Sequence, residues 1–291
     1  MIEYPNMPFE IYAWIATLSS GLVAVSQKLT SKHSIKNPWL LNFFFTLFIL
    51  LFLLPLGLIN HVGFPREWQN IFFSAFFDEM FWILFIISLY KLDVSVITPL
   101  FNFRSIFSVF LGIFFLGEVL RLQQVLLIIL IIGCGFFVAI DEKFKLTSFF
   151  KPVIALILTA MLALALNGFF INKAAVHNTF WQITVWEVVF SQLLLLFTVP
   201  LFMKDLKKVK FDQYAILLAI ALLEVFYKLS ANKAFSSNLV VTAVIISLPA
   251  SMIIAFLFSV FAPTLLEKHS LKVYLIRFAA AALMIFASFH L

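Results

Sequence analysis

Six charged residues stand inside stretches that are otherwise almost wholly apolar: Asp78, Glu79, Arg104, Glu187, Glu224 and Lys228. The run YKLDVSVITPLFNFRSIFSVFLGIFFLGE, residues 90–118, carries Arg104 about ten residues into such a stretch. A cation at that depth in hydrocarbon is costly unless it faces a cavity or a partner, so it points to function. If all six share one cavity, four acids against two bases leave two carboxylates without an internal counter-charge. Such a carboxylate can take a proton or a cationic group. Glu224 and Lys228 stand at i,i+4, a spacing that equally allows a structural ion pair on one helix face. Arg104 is the first choice for ligand contact, the other reading being an ion pair with Glu187 or Asp78. Asn42 and Asn102 add uncharged polar groups to the candidate set. Trp82 lies one helical turn from Asp78 and Glu79, and Trp186 adjoins Glu187; either ring could stack on a cation or a planar ligand.

Catalytic and metal chemistry find little support. The histidines at 33, 61, 177, 269 and 290 lack metal-ligand spacing, and G-x-S-x-G, P-loop and H-E-x-x-H patterns do not occur. Cys134 is the single cysteine, which excludes a disulfide or thiolate–metal framework within the chain. The expectation is a protein that is not an enzyme and uses no cofactor or metal. The net charge of +6 does not mark a nucleic-acid surface, because the lysines fall in short connections between apolar runs.

The elements that must hold the six charges are membrane helices. A chain with 64% hydrophobic and 12% charged residues exposes too much apolar surface for water. Stretches of about 20 apolar residues recur almost end to end, which predicts an all-α integral membrane protein with ten transmembrane helices. They fall near 10–28, 38–59, 69–90, 94–117, 121–140, 149–172, 180–203, 212–234, 238–261 and 271–289. The two-residue alternation of a membrane barrel is missing. Lys and Arg near the helix ends number twelve in the odd-numbered connections against four in the even-numbered ones. By the positive-inside rule the odd connections are cytoplasmic and both termini lie outside. Arg277, a few residues into the last helix, is read as snorkelling to the interface.

Landmarks repeat at an offset near 145: Lys28 with Lys173, Asn42 with Glu187, Pro55 with Pro200, and Asp78 with Glu224. Glu118 pairs with Glu267 at a slightly larger offset, as a capping or hinge element in each half. Pro99 and Pro249 are expected to loosen the fourth and ninth helices, since proline removes a backbone hydrogen bond. The reading is two five-helix repeats, residues 1–146 and 147–291. An odd helix number per unit forces the second to lie inverted, with the binding site near the midplane between them.

DVSVITPL at 93–100, FLGE at 115–118, QQ at 123–124 and GCG at 133–135 together resemble the EamA-like branch of the drug/metabolite transporter superfamily. The second half echoes them with Pro249, Glu267 and the small-residue run Ala279–Ala282. The resemblance implies a secondary active transporter of the cell (inner) membrane, multi-pass. It would move a small polar or amphipathic organic metabolite, such as an amino acid or amine, by alternating access, in export or exchange. Its partners would be the small-molecule substrate, the lipid bilayer and a coupling proton, in a monomer or weak homodimer. Alternatives are a transporter of a lipid-linked or quaternary-ammonium compound, and a membrane-embedded enzyme or non-transporting partner subunit. Two departures stand out: Asn42 occupies a position in the second helix where many relatives resemble an xxR pattern, and members usually look termini-in.

Overall fold

The computed structural model describes residues 7–91, 98–138, 152–261 and 271–291, and among these every regular element is helical. The chain runs through α1 (Phe9–His33), α2 (Pro38–Ile59), α3 (Trp68–Lys91), α4 (Asn102–Leu111), α5 (Leu122–Val138) and α6 (Pro152–Ala174). It continues with α7 (Phe180–Leu195), α8 (Phe211–Phe235), α9 (Leu239–Ile246), α10 (Ala250–Phe261) and α11 (Leu271–Ser288). Seven segments of the described residues are long and apolar enough to cross a membrane: Phe9–His33, Pro38–Ile59, Trp68–Lys91, Ala155–Ala174, Phe180–Leu201, Phe211–Phe235 and Leu239–Leu257. Asn102–Leu116, Leu122–Gly135 and Leu275–Ser288 are apolar but shorter. The outer surface stays apolar, with Leu58, Phe114 and Phe197 at 76%, 71% and 84% exposure, as expected of side chains solvated by lipid.

Helix starts follow local chemistry. Asn37 caps α2, its Oδ1 accepting from Trp39 N and Leu40 N, and Pro38 fills a first-turn position where its missing N–H costs nothing. Thr179 and Gln182 close a reciprocal capping box on α7. The two halves interlock through paired contacts: α3 lies along α6 and meets α7, while α8 lies along α1 and meets α2. The remaining major contacts are α5 with α11, α2 with α7, and α4 with α9.

Three of the expected continuous helices are interrupted. The fourth opens as a 3-10 turn, Thr98–Phe101, which contains Pro99, and after α4 it ends in a π turn, Gly112–Leu116. Gly117 closes that turn at φ 68°, a left-handed geometry that disfavours residues with a Cβ. The seventh tightens into a 3-10 stretch, Leu196–Leu201, around Pro200. The ninth breaks at 247–249, between α9 and α10. Pro249 has no N–H for the Ile245 carbonyl, and the Thr17 hydroxyl of α1 donates to that carbonyl at 2.9 Å. Gly21 lets α1 approach this close, because a Cβ there would sit 2.9 Å from Ser251 N. The break is therefore held by a specific neighbour and is not a loose joint.

Glu118 bonds to the first turn of a distant helix. Its carboxylate accepts from Leu239 N at 2.7 Å and Val240 N at 3.1 Å, tying the end of the fourth span to the start of α9. Glu267 lies outside the described residues. Charge-assisted bonds to a helix N-terminus are worth about 1.5–3 kcal/mol together with the local dipole. Glu118→Ala is expected to destabilise the protein by roughly that amount, read as a lower melting temperature in detergent; an unchanged melting curve would remove this role.

Candidate functional site

Near the middles of α3 and α8 the apolar interior gives way to a polar network. Its anchor is Lys228, 4% exposed, whose Nζ lies 2.7 Å from Asp78 Oδ2 and 3.7 Å from Glu187 Oε2. Glu187, wholly buried, also accepts from Ser74 Oγ at 2.8 Å, Asn167 Nδ2 at 2.7 Å and Asn232 Nδ2 at 3.0 Å. Asn232 in turn donates to Thr184 Oγ1, and Asn167 to the Ser74 hydroxyl. Glu79 accepts from Asn42 Nδ2 at 3.0 Å and Thr46 Oγ1 at 3.3 Å. These bonds join α2, α3, α6, α7 and α8 and satisfy groups that would otherwise be costly in a dry interior.

Two expectations fail on this geometry. The i,i+4 pair Glu224–Lys228 does not form, because the Lys228 ammonium reaches across to Asp78 on α3 and Glu187 on α7. Arg104 is not paired with Asp78 or Glu187 either, since Lys228 occupies both. Arg104 is 1% exposed, its guanidinium carbon 4.9 Å from the Phe235 ring centroid, an arrangement suited to cation–π attraction. Its Nε and Nη2 have no hydrogen-bond partner among the described residues, nor does Oε1 of Glu224.

Arg104, Glu224 and Asp78 line one cavity of about 40 Å³. Its wall is completed by Phe81, Trp82, Phe85, Phe101 and Tyr227, with Val23, Leu164 and Ile246 among the aliphatic residues. The rings interlock: Phe81 stacks on Phe85 at 5.3 Å, and Phe101 meets Phe85 edge-on at 5.6 Å. The space holds water but not a metabolite, for which pockets of about 300–1,000 Å³ are usual.

Hydrogen bonds between distant segments tie the bundle together at each end of α2. At its start, Asn37 Nδ2 donates to Asp205 Oδ2 at 2.9 Å and to Leu201 O at 3.3 Å, and Gln213 Nε2 donates to Ser34 O at 2.5 Å. This clasp joins the α1–α2 and α7–α8 connections beside a recess of about 520 Å³. Past the other end of α2, Trp186 Nε1 donates to Gly63 O at 3.0 Å, Gln182 Nε2 to Phe64 O at 3.4 Å, and Asn178 Nδ2 to Glu67 O at 3.3 Å. That second clasp joins the α2–α3 and α6–α7 connections. Trp186 consequently belongs to a clasp, packed edge-on against Phe64 at 4.9 Å, and does not reach the cavity. Asn102 packs against Gly135 of α5, and Arg277 is 2% exposed, so it does not snorkel. Ser74, Asn167, Thr184 and Asn232 were not singled out from the sequence. Their signal is an amide or hydroxyl in mid-helix, which in lipid seeks a partner on another helix.

The first clasp can be tested through its charge. The Asn37 amide, and then Lys208 at 2.9 Å, hold the Asp205 carboxyl below its ordinary value. A depressed acid contributes fully above the ordinary carboxylate range and loses its contribution as pH falls through the lowered value. A reporter Val23→Cys on the cavity wall, in a Cys134→Ser background, is expected to label at a constant slow rate between about pH 6 and 8 and faster only below about pH 4. Asn37→Ala removes both clasp and cap, worth about 0.5–2 kcal/mol, and is expected to speed labelling from that end roughly 2- to 30-fold. Trp186→Phe is expected to act from the opposite end. Labelling that ignores both substitutions would show that the clasps do not control access.

No curated protein matches the chain. A solved structure described as "Crystal structure of protein" shares the fold, with a TM-score of 0.70 over 96% of this chain and 94% of its own, at 14% identity. Residues 7–140 match the model of the EamA-like transporter family. Taken with the apolar helices, that match makes residues 7–140 of this multi-pass membrane protein similar to the EamA-like transporter family.

Proposed function

We propose that the protein is a secondary active transporter that carries a small polar or amphipathic organic metabolite by alternating access through the cavity of Arg104, Glu224 and Asp78. The observation that carries this reading is a small cavity lined by charged groups with atoms unpartnered among the described residues, in a bundle clasped at both ends of α2. Opening one clasp while the other stays shut would expose the cavity to one side at a time. A channel needs no such double closure, and a structural bundle gains nothing from a buried arginine with two nitrogens unpartnered among the described residues.

The proposed frame is ten spans in two inverted five-helix repeats, residues 1–146 and 147–291. Seven long apolar helices and three shorter ones supply ten segments. The contacts support the symmetry: exchanging the halves turns α3 with α6 into α8 with α1, and α3 with α7 into α8 with α2. The clasps exchange in the same way. The α1–α2 with α7–α8 clasp becomes the α6–α7 with α2–α3 clasp. In this frame Asp78 and Glu224 are symmetry mates.

The protein is placed in the cell (inner) membrane with the lysine-rich connections cytoplasmic and both termini outside, running export or exchange. Counterflow in proteoliposomes tests the transport reading: a loaded metabolite is expected to drive uptake of its labelled form only in vesicles containing the protein. Absence of flux for amino acids, amines, nucleosides and organic acids alike would defeat it. A reporter fused after Leu291 tests the orientation, and cytoplasmic activity there would reverse it.

A further inference from the structure

The recess of about 520 Å³ beside the first clasp is set apart from the central cavity. The two have no described lining residue in common, and Ala24 of the cavity and Ser34 of the recess stand about 15 Å apart along α1 and its C-cap. The recess has the volume of a ligand site, for which about 300–1,000 Å³ is usual. It also lies where two spans begin: Pro38, Trp39 and Leu40 open the span Pro38–Ile59, and Gln213 stands in the first turn of the span Phe211–Phe235. That is the level of the lipid headgroups, where tryptophan is at home.

The wall of the recess is basic, and its acid is already engaged. Lys36 belongs to the α1–α2 connection and Lys208 to the α7–α8 connection, so the two border the recess from the segments that the clasp joins. Lys36 takes part in no ion pair among the described residues. Lys208 Nζ donates to Asp205 Oδ1 at 2.9 Å, and an ammonium has two further hydrogens to give. The other oxygen of Asp205 accepts from Asn37 Nδ2, so this carboxylate anchors Lys208 and the clasp. Asn37 Oδ1 is committed to Trp39 N and Leu40 N. What the recess offers a ligand is therefore donors: the two ammonium groups, the Ser34 hydroxyl and the Trp39 indole N–H. Nearby, Lys204, Lys207 and Lys210, all exposed, add positive charge against Asp212.

The surface beside the recess is apolar. Leu201, Met203 and Phe211 are exposed, and a half-buried aromatic seam continues along α2 and α8. There Phe44 meets Tyr214 edge-on at 5.0 Å, and Phe43 packs on Phe202 at 5.1 Å. A soluble anion has no use for such a seam, whereas acyl chains do. We infer that the recess holds the headgroup of an anionic glycerophospholipid, its phosphodiester oxygens bound by Lys36 and Lys208 and its acyl chains lying on the α2–α8 seam. Basic segments at the membrane surface attract anionic lipid in general, and here two of the lysines border a cavity of fixed shape. One headgroup so placed bridges the two connections of the clasp. The site needs a bilayer and stands whether or not the protein carries a solute.

Native mass spectrometry of the purified full-length protein in detergent, at about 0.15 M salt to screen diffuse attraction, provides the test. Dioleoylphosphatidylglycerol is expected to stay bound under conditions that strip dioleoylphosphatidylcholine. Its headgroup without chains, sn-glycero-3-phosphoglycerol, is expected not to displace it at a roughly thirty-fold excess, because buried acyl methylenes supply much of the affinity. Lys36→Gln combined with Lys208→Gln is expected to weaken phosphatidylglycerol binding at least roughly ten-fold. Lys204→Gln combined with Lys207→Gln removes the same charge outside the recess and is expected to weaken it about three-fold or less. All four side chains are exposed, so both pairs are expected to fold, and the lipid comparison on the native protein stands without them. Equal weakening by the two pairs would show a diffuse basic surface and overturn the site, as would equal retention of phosphatidylcholine. Displacement by the chain-free headgroup would make the recess a site for a soluble phosphate ester and overturn the lipid assignment.

Discussion

Lys228→Met is expected to cost about 3–5 kcal/mol of stability in detergent, and Arg104→Met close to none, although both remove a buried cation. The difference lies in what each leaves behind. Without Lys228, Asp78 and Glu187 face each other across a dry interior with no counter-charge, and the amides around Glu187 cannot replace it. Without Arg104, no carboxylate among the described residues loses an ion pair, and the thioether still covers Phe235. For a chain of this length, 3–5 kcal/mol corresponds to a melting temperature lower by roughly 6–20 °C. Adding Asp78→Asn to Lys228→Met is expected to recover part of the loss, the mark of direct coupling. Equal melting temperatures for the two methionine variants would show that the Lys228 network does not hold the bundle together.

Arg104→Ala is expected to reduce transport at least roughly thirty-fold, and up to several thousand-fold, while the protein stays folded and keeps its place in the membrane. Truncating one side of a desolvated charge pair costs about 2–5 kcal/mol, and here the lost partner belongs to the solute. Arg104→Lys is expected to recover only part of the rate, since an ammonium cannot present the guanidinium's planar fork. Circular dichroism and gel filtration of the variant establish that it folds. Proteoliposomes then measure its flux, and native rates with Arg104→Ala would remove the arginine from the transport path.

Depth in the apolar run made the charged residues legible. Every one of the six is buried, because an ionised group inside a membrane helix has few places to go except a protein interior. Pairing was not legible. The i,i+4 spacing of Glu224 and Lys228 is a local signal, whereas the partner of Lys228 stands 150 residues away on α3. Register between distant helices is set by packing, and no short window of sequence reports it. The uncharged members of the network, Asn167 and Asn232 above all, were hidden for a related reason. A lone amide is unremarkable on its own helix, and only its neighbours reveal what it binds. Proline marked the break at 247–249, but not that Thr17 of α1 would bond the Ile245 carbonyl there.

The long sequence separation of Asp78 and Lys228 also bears on how the chain is made. Ribosomes add about 5–20 residues per second, so α3 is synthesised roughly 8–30 s before its cation. During that interval a helix with two adjacent acids at its middle resides in or beside the insertion machinery, each acid opposing entry into lipid by about 2.5–3.5 kcal/mol. The nascent first half is therefore poorly suited to release on its own. Insertases that shelter polar helices, or delayed lateral exit of α3, would limit the yield of this protein, and messages truncated before codon 228 would deliver products marked for degradation.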